Sequence, residues 1–192
     1  MEFVQYREVL PGLQEQGLIE AADDEGLIRL EIEPQPRLKT LHVRDPASRV
    51  PPYPDAVVLE RPKADLNEIL EQCLDRIHLA EVLVIPVGLW RDVIDCVAYD
   101  LAADEEWREI DALAALHQNT RNALAVTRGE TCLLIDMVRS LLSHGSSPRH
   151  DLAITSDVVP LLVEVFHDGA VSLIWEGAII DSLLKHLKPA AR

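Results

Sequence analysis

Val82-Leu83-Val84-Ile85-Pro86-Val87-Gly88-Leu89-Trp90 is the longest apolar run in the chain, and its reading decides the fold. A continuous run of Val, Leu and Ile spells a strand covered on both faces. The glycine then makes a tight turn, and Ile94, Val97 and Leu101 follow at helical spacing. The pattern returns downstream. Setting Gly88 on Gly129 also puts Leu83 on Leu124, Ile94 on Ile135, Asp95 on Asp136, Val97 on Val138 and Leu101 on Leu142. Both copies read as strand, glycine, polar turn and helix, with an extra helix from Asp104 to about Gln118 between them.

Upstream, Ala56-Val57-Val58-Leu59 reads as another buried strand. It leads to a helix whose apolar stripe is Leu66, Ile69, Leu70, Cys73, Leu74 and Ile77. Ordering a residue's backbone costs about 1–2 kcal/mol, so such a helix needs a sheet to lie on. The expectation is an α/β fold: a mixed, mostly parallel sheet with strands around Val57, Val84 and Ala125 and flanking helices.

Toward the C-terminus, Leu161, Val163 and Val165 alternate with Leu162 and Glu164, so Glu164 faces the side opposite the valines. Asp168-Gly169 supplies a turn into Ala170-Val171-Ser172-Leu173-Ile174-Trp175, which favours a C-terminal β-hairpin; the alternative, from setting Thr155 on Thr127, is a helix from Pro160 to Phe166 that would be hydrophobic all round but for Glu164. A helix with Ile179, Ile180, Leu183, Leu184 and Leu187 follows, with Lys185 and Lys188 at its end and Pro189 stopping it.

Before the first proline cluster, Val9, Leu10 and Leu13 mark a short helix. Leu18 begins an apolar run, Asp23-Asp24-Glu25-Gly26 is a turn, and Leu27 to Ile32 alternate. With Lys39 to Arg44 as a third strand, this predicts a small N-terminal β-meander. Pro46, Pro51, Pro52 and Pro54 then stiffen the connection. The expected organisation is a helix and meander extension over 1–45, a proline-rich connection over 46–55 and an α/β domain over 56–192.

The segment over residues 9–33, a helix that runs into Gly17-Leu18-Ile19 and then a turn, resembles the recognition-helix end and wing of winged-helix DNA-binding proteins. Two features stand against what that resemblance implies. Only about a dozen residues precede the stretch where two helices would stand, and Glu8 and Glu15 against Arg7 give the helix the wrong sign for a DNA groove.

Composition narrows the function classes. The 192 residues carry 33 acidic and 18 basic side chains, a net charge of −15, which repels phosphate backbones and anionic lipid, so nucleic acid and membrane are not expected partners. Cys73, Cys96 and Cys132 are odd in number and contain no C-x-x-C pair, which predicts free thiols in a cytoplasmic protein. The N-terminus lacks a basic segment followed by an apolar one, and the longest apolar run falls short of the roughly 20 residues of a membrane span.

No linear catalytic motif is present. Gly88 and Gly129 end strands just before helices, where backbone N–H groups with Arg91 and Arg128 beside them could hold an anion, although Asp92 and Glu130 oppose one. Cys132 falls in the first turn of its helix, a place that favours a thiolate, but no base is identifiable near it. Gly88, Arg91, Arg128, Gly129, Glu130 and Cys132 are therefore the candidate ligand-binding residues, with no catalytic set. His144, His150 and Asp151 cluster around a loop but lack a third convincing ligand, so neither metal nor cofactor is expected; His78, His117, His167 and His186 read as surface or capping residues.

The first functional expectation is a binding or regulatory protein acting through a protein-interaction surface, a basic protein being one candidate partner. The alternatives are a hydrolase-like small-molecule enzyme with its pocket at the two glycine turns, and an acidic inhibitor of a basic protein. Oligomeric state, a homodimer included, is left open.

Overall fold

In the computed structural model, which describes residues 1–23, 26–76, 78–101 and 105–187, the apolar runs become strands and the stripes become helices. In chain order the elements are β1 (Glu2–Val4), α1 (Tyr6–Glu15), β2 (Leu18–Ala22), β3 (Ile28–Ile32), β4 (Leu38–Arg44), β5 (Val57–Glu60), α2 (Leu66–Arg76), β6 (Glu81–Pro86), α3 (Trp90–Leu101) and α4 (Glu105–Ala114). β7 (Ala123–Thr127), α5 (Thr131–His144), β8 (Leu152–Thr155), β9 (Leu162–Phe166), β10 (Ala170–Glu176) and α6 (Gly177–Leu187) complete the chain. Asp24 and Glu25 of the expected turn, Ile77 of the stripe, Asp104, Lys188 and Pro189 lie outside the described residues.

Eight strands form one sheet in the order β1-β7-β6-β8-β9-β10-β4-β5, and β2 and β3 pair separately as a hairpin. The α/β class holds, but the sheet is mostly antiparallel, not mostly parallel. Among the described residues only β4 and β5 pair in parallel. The physical reason lies in the connections. One helix between two strands carries the chain back to the starting edge, so the next strand runs the same way. Such single crossovers, α2 and α5, do link same-direction strands, β5 with β6 and β7 with β8, but other strands lie between them. Between β6 and β7 stand two helices, α3 and α4, an out-and-back pair that returns the chain to the edge it left. The register Leu83↔Ala125 and Val84↔Leu124 is accordingly antiparallel.

The N-terminal meander is corrected too. β2 and β3 make a hairpin, but the expected third strand leaves it and becomes β4, paired along its whole length with β10 from Leu38↔Glu176 to Arg44↔Ala170. β10 otherwise has only β9 beside it, so β4 satisfies a row of backbone groups that would be left at an open edge. Residues 1–45 thus contribute β1 and β4 to the same sheet as residues 56–192. The C-terminal hairpin forms across Asp168-Gly169, with Gly169 at φ +95° where the turn requires a residue without Cβ, and α6 follows it.

Both faces of the central strands are covered, which is why β6, β7 and β8 read as nearly unbroken apolar runs. On one face Leu41, Val84, Leu124, Ile154, Val163 and Leu173 meet Leu70, Val97, Val138 and Leu183 of the helices. Trp107 and Ile110 of α4 belong to the same core. On the other face Leu83, Ile85, Ala125, Ala153, Leu162 and Ile174 meet Val9 and Leu13 of α1 and Leu18 and Leu30 of the hairpin. This second cover comes entirely from the N-terminal segments, and the proline-rich connection joins it through Tyr53. None of the described helices is long and apolar enough to cross a membrane.

Candidate functional site

The two glycine turns do not share a pocket. β6 and β7 are antiparallel neighbours, so Gly88 with Arg91 sits at one end of the strands and Arg128, Gly129, Glu130 and Cys132 at the other. Gly88 is needed for packing: a Cβ there would lie 2.5 Å from the Arg149 carbonyl oxygen and 2.8 Å from Asp92 Oδ2. Asp92 accepts the Leu89 N–H at 3.0 Å, and Arg91 is exposed. At Gly129 an added Cβ would meet nothing within 4 Å. Glu130 closes a capping box, its Oε2 accepting the Thr127 N–H at 2.9 Å and the Thr127 hydroxyl at 2.6 Å. Cys132 is exposed, whereas burial pushes the Cys73 thiol up to about 12. His144, His150 and Asp151 do not converge either. His144 Nε2 pairs with Asp100 at 2.9 Å, His150 Nδ1 accepts the Ser146 N–H at 3.1 Å, and Asp151 turns inward.

The residues that do converge are on the hairpin-covered face. The register Ala153↔Glu164↔Ser172↔His42 runs across four neighbouring strands and places a carboxyl, a hydroxyl and an imidazole in one buried row. Glu164 is 5% exposed. Tyr53, carried over it by the proline-rich connection, donates its hydroxyl to Glu164 Oε2 at 2.6 Å. Burial drives the Glu164 carboxyl up to about 7; the Tyr53 hydrogen bond and the Arg29 charge oppose the rise, and Asp151 and Glu31 add to it. Burial and the Glu164 charge likewise raise the Tyr53 phenol. At the end of the row, His42 Nδ1 lies 2.8 Å from Ser172 Oγ and its Nε2 is buried without a partner among the described residues. Burial and the Arg44 charge hold that imidazole below its usual range.

Beside Glu164 a second acid is fully engaged. Asp151, 2% exposed at the start of β8, accepts Arg29 Nη2 at 2.8 Å on one oxygen. Its other oxygen accepts the His167 N–H at 2.8 Å and lies 2.7 Å from His167 Nδ1. Arg29 reaches this point from β3, with its guanidinium carbon 5.6 Å from the centre of the Phe166 ring. Burial opposes its charge, but the hydrogen bonds to Asp151 and Asp23 outweigh burial and its pKa is raised.

Between these groups and the stiff Val50 to Pro54 segment lies a cleft of about 380 Å³, within the size range of small-ligand sites. Its walls are apolar, from Pro51, Pro52, Pro148 and Phe166, and its base is polar, from Arg29, Asp151, Glu164 and His167. Among the described residues no three His, Cys, Asp or Glu side chains are placed to hold a metal ion. The arrangement offers three things: a carboxyl that changes charge near neutral pH, an imidazole oriented by a buried carboxylate, and a fixed guanidinium.

Glu164 is the lone charge of its strand, and that signal is legible. The sequence places it on the face opposite the valines but does not reveal that this face is covered as well. Tyr53 and Arg29 carry no signal, because they meet partners 111 and 122 positions away in the chain. Comparison with known proteins finds no counterpart: no family model, no curated protein and no solved structure matches the chain.

Proposed function

We propose that the chain is a binding protein that takes a small ligand, apolar in body and with a protonated amine at its head, into the cleft between the proline segment and strands β8 and β9. One observation carries this reading: at the base of an apolar-walled cleft, Glu164 is buried with Tyr53 as its one hydrogen-bond partner among the described residues and with no cation bonded to it. Asp151 already has Arg29, so the unpaired carboxyl is the one that gains from an incoming ammonium group. The pyrrolidine rings and Phe166 fit the ligand's apolar part.

Phenethylamine is a suitable probe, tested by ligand-observed NMR and thermal unfolding. Binding requires ionised Glu164, so the wild type gains a few degrees of Tm at pH 8 and less at pH 5.5. The Glu164→Gln variant gains nothing. The absence of a shift at millimolar amine, or an equal shift in the variant, overturns the reading.

A hydrolytic enzyme is the second reading, favoured by one contact, that of Asp151 with His167 Nδ1 beside the same cleft. A buried carboxylate on Nδ1 orients an imidazole for work as a general base through Nε2. Turnover of p-nitrophenyl acetate above the solution rate, lost in His167→Asn, would promote it over the first.

A further inference from the structure

A second large depression on the same face of the sheet lies toward the other end of the strands, separated from the first by Tyr53 and Pro54, which line both. It is a groove of about 830 Å³ where β4 and β5 begin. Its apolar surface comes from Ile32, Leu38 and Ile174, flanked by Pro34 and Pro54. Glu31, Glu33, Asp55 and Asp181 stand around it with a single cation, Lys39, whose Nζ is already held by both Asp181 oxygens at 2.8 and 2.7 Å. Three carboxylates, Glu31, Glu33 and Asp55, have no ion pair among the described residues. The groove runs into Val57, the first residue of β5. β5 is the last strand of the sheet, its outer edge unpaired among the described residues, with Val58 40% exposed beside it.

We propose that this groove and the free edge of β5 dock an extended, basic segment of a partner protein, which adds to the sheet as a further strand. An unpaired edge offers a row of backbone donors and acceptors to another chain, and natural proteins blunt such edges with charge or proline. β5 itself holds no proline, and its one charge, Glu60 at the far end from the groove, is paired with Arg44 of the neighbouring strand at 3.3 Å. In strand addition the main-chain bonds supply affinity and alternate side chains enter pockets, here the apolar groove with its stiff proline walls. The sign of the partner follows from the three unopposed carboxylates, which favour lysine or arginine on the residues that flank the groove. A second copy of this chain is a poor occupant, because each copy carries −15 and would set acidic rim against acidic rim. The same sign argues against nucleic acid and anionic lipid.

The test is fluorescence anisotropy with a short, capped, labelled peptide of alternating lysine and valine. A glutamate-valine peptide and an oligolysine of equal length are the controls. The lysine-valine peptide binds the wild type, and binding weakens as salt is raised. The triple variant Glu31→Gln, Glu33→Gln, Asp55→Asn weakens it about tenfold or more. Asparagine at 55 keeps the left-handed backbone found there, φ 62°, and thermal unfolding of the variant checks that its fold is retained. Val58→Lys, a substitution that guards an edge without entering the core, weakens it as well. Glu164→Gln leaves it unchanged, which separates this site from the amine cleft. The proposal is overturned by oligolysine binding as tightly as the alternating peptide, by undiminished binding in the triple or the Val58 variant, or by preference for the glutamate peptide.

Discussion

At Glu164 a carboxyl replaces the aliphatic side chain that a central strand would otherwise bury, and its charge state is coupled to stability. Its folded pKa is about 7 against an ordinary 4.5, so between those two values the folded protein holds a proton that the unfolded chain releases. Stability therefore falls as pH rises from 4.5 through 7 and levels off above, by about 3 kcal/mol when the interval is converted at 1.36 kcal/mol per pH unit. In the Glu164→Gln variant the amide keeps an oxygen to accept the Tyr53 hydroxyl and never ionises. Urea unfolding of this variant should then match the wild type near pH 5 and exceed it by about 1–3 kcal/mol at pH 8. Parallel stability curves for the two proteins would mean that Glu164 is already ionised in the fold at low pH. The same residue marks a limit of sequence reading. Period-two alternation puts Glu164 on the face away from the valines, and that is where it lies. Whether that face meets water depends on Arg29 and Tyr53, which sequence spacing cannot connect to it.

Among the elements, the two strand-glycine-helix units test how far a local pattern reaches. The matched positions identify β6 with α3 and β7 with α5 correctly as strand followed by helix, because periodicity is a property of each segment alone. Strand direction is not local. It depends on the count of helices between strands and on the neighbour each strand finds, so two similar units end at opposite ends of adjacent strands. Their glycines consequently do different work, and substitution should separate them. Gly88→Ala forces the turn carrying Arg149 outward and should cost about 1–3 kcal/mol, since backbone and not a flexible side chain stands 2.5 Å from the new methyl. Gly129→Ala meets nothing within 4 Å and should be neutral or stabilising by up to about 1 kcal/mol through the unfolded chain. Thermal unfolding of the two variants decides it, and equal losses would mean that the turns are equivalent after all.

Across the whole molecule, one sheet carries two covers of unequal kind. The helical cover is a continuous aliphatic core, with Leu70, Val97, Val138 and Leu183 each wholly buried. The other cover is a short helix, a two-stranded hairpin and a proline segment lying over smaller side chains such as Ala125 and Ala153. Polar ties hold it down: Arg29 to Asp151 at 2.8 Å, Tyr53 to Glu164 at 2.6 Å, and Arg121 to the Ile28 carbonyl at 2.8 Å. Segments with few apolar contacts open at lower free energy than the core they rest on, so the cover is expected to unfold locally while the sheet persists. Asp151→Asn tests this directly. The amide oxygen still accepts the His167 N–H, but Arg29 loses the more buried of its two ion pairs and keeps only Asp23 at 3.2 Å, a loss of about 1–3 kcal/mol. Native-state hydrogen exchange should then quicken at residues 28–32 and at Tyr53, with β6 and β9 amides holding their wild-type rates. Acceleration of equal size in β6 and β9 would show that the hairpin cover and the sheet open as one unit, and the cleft between them would then be a fixed feature of the core and not a place where the protein opens to admit a ligand.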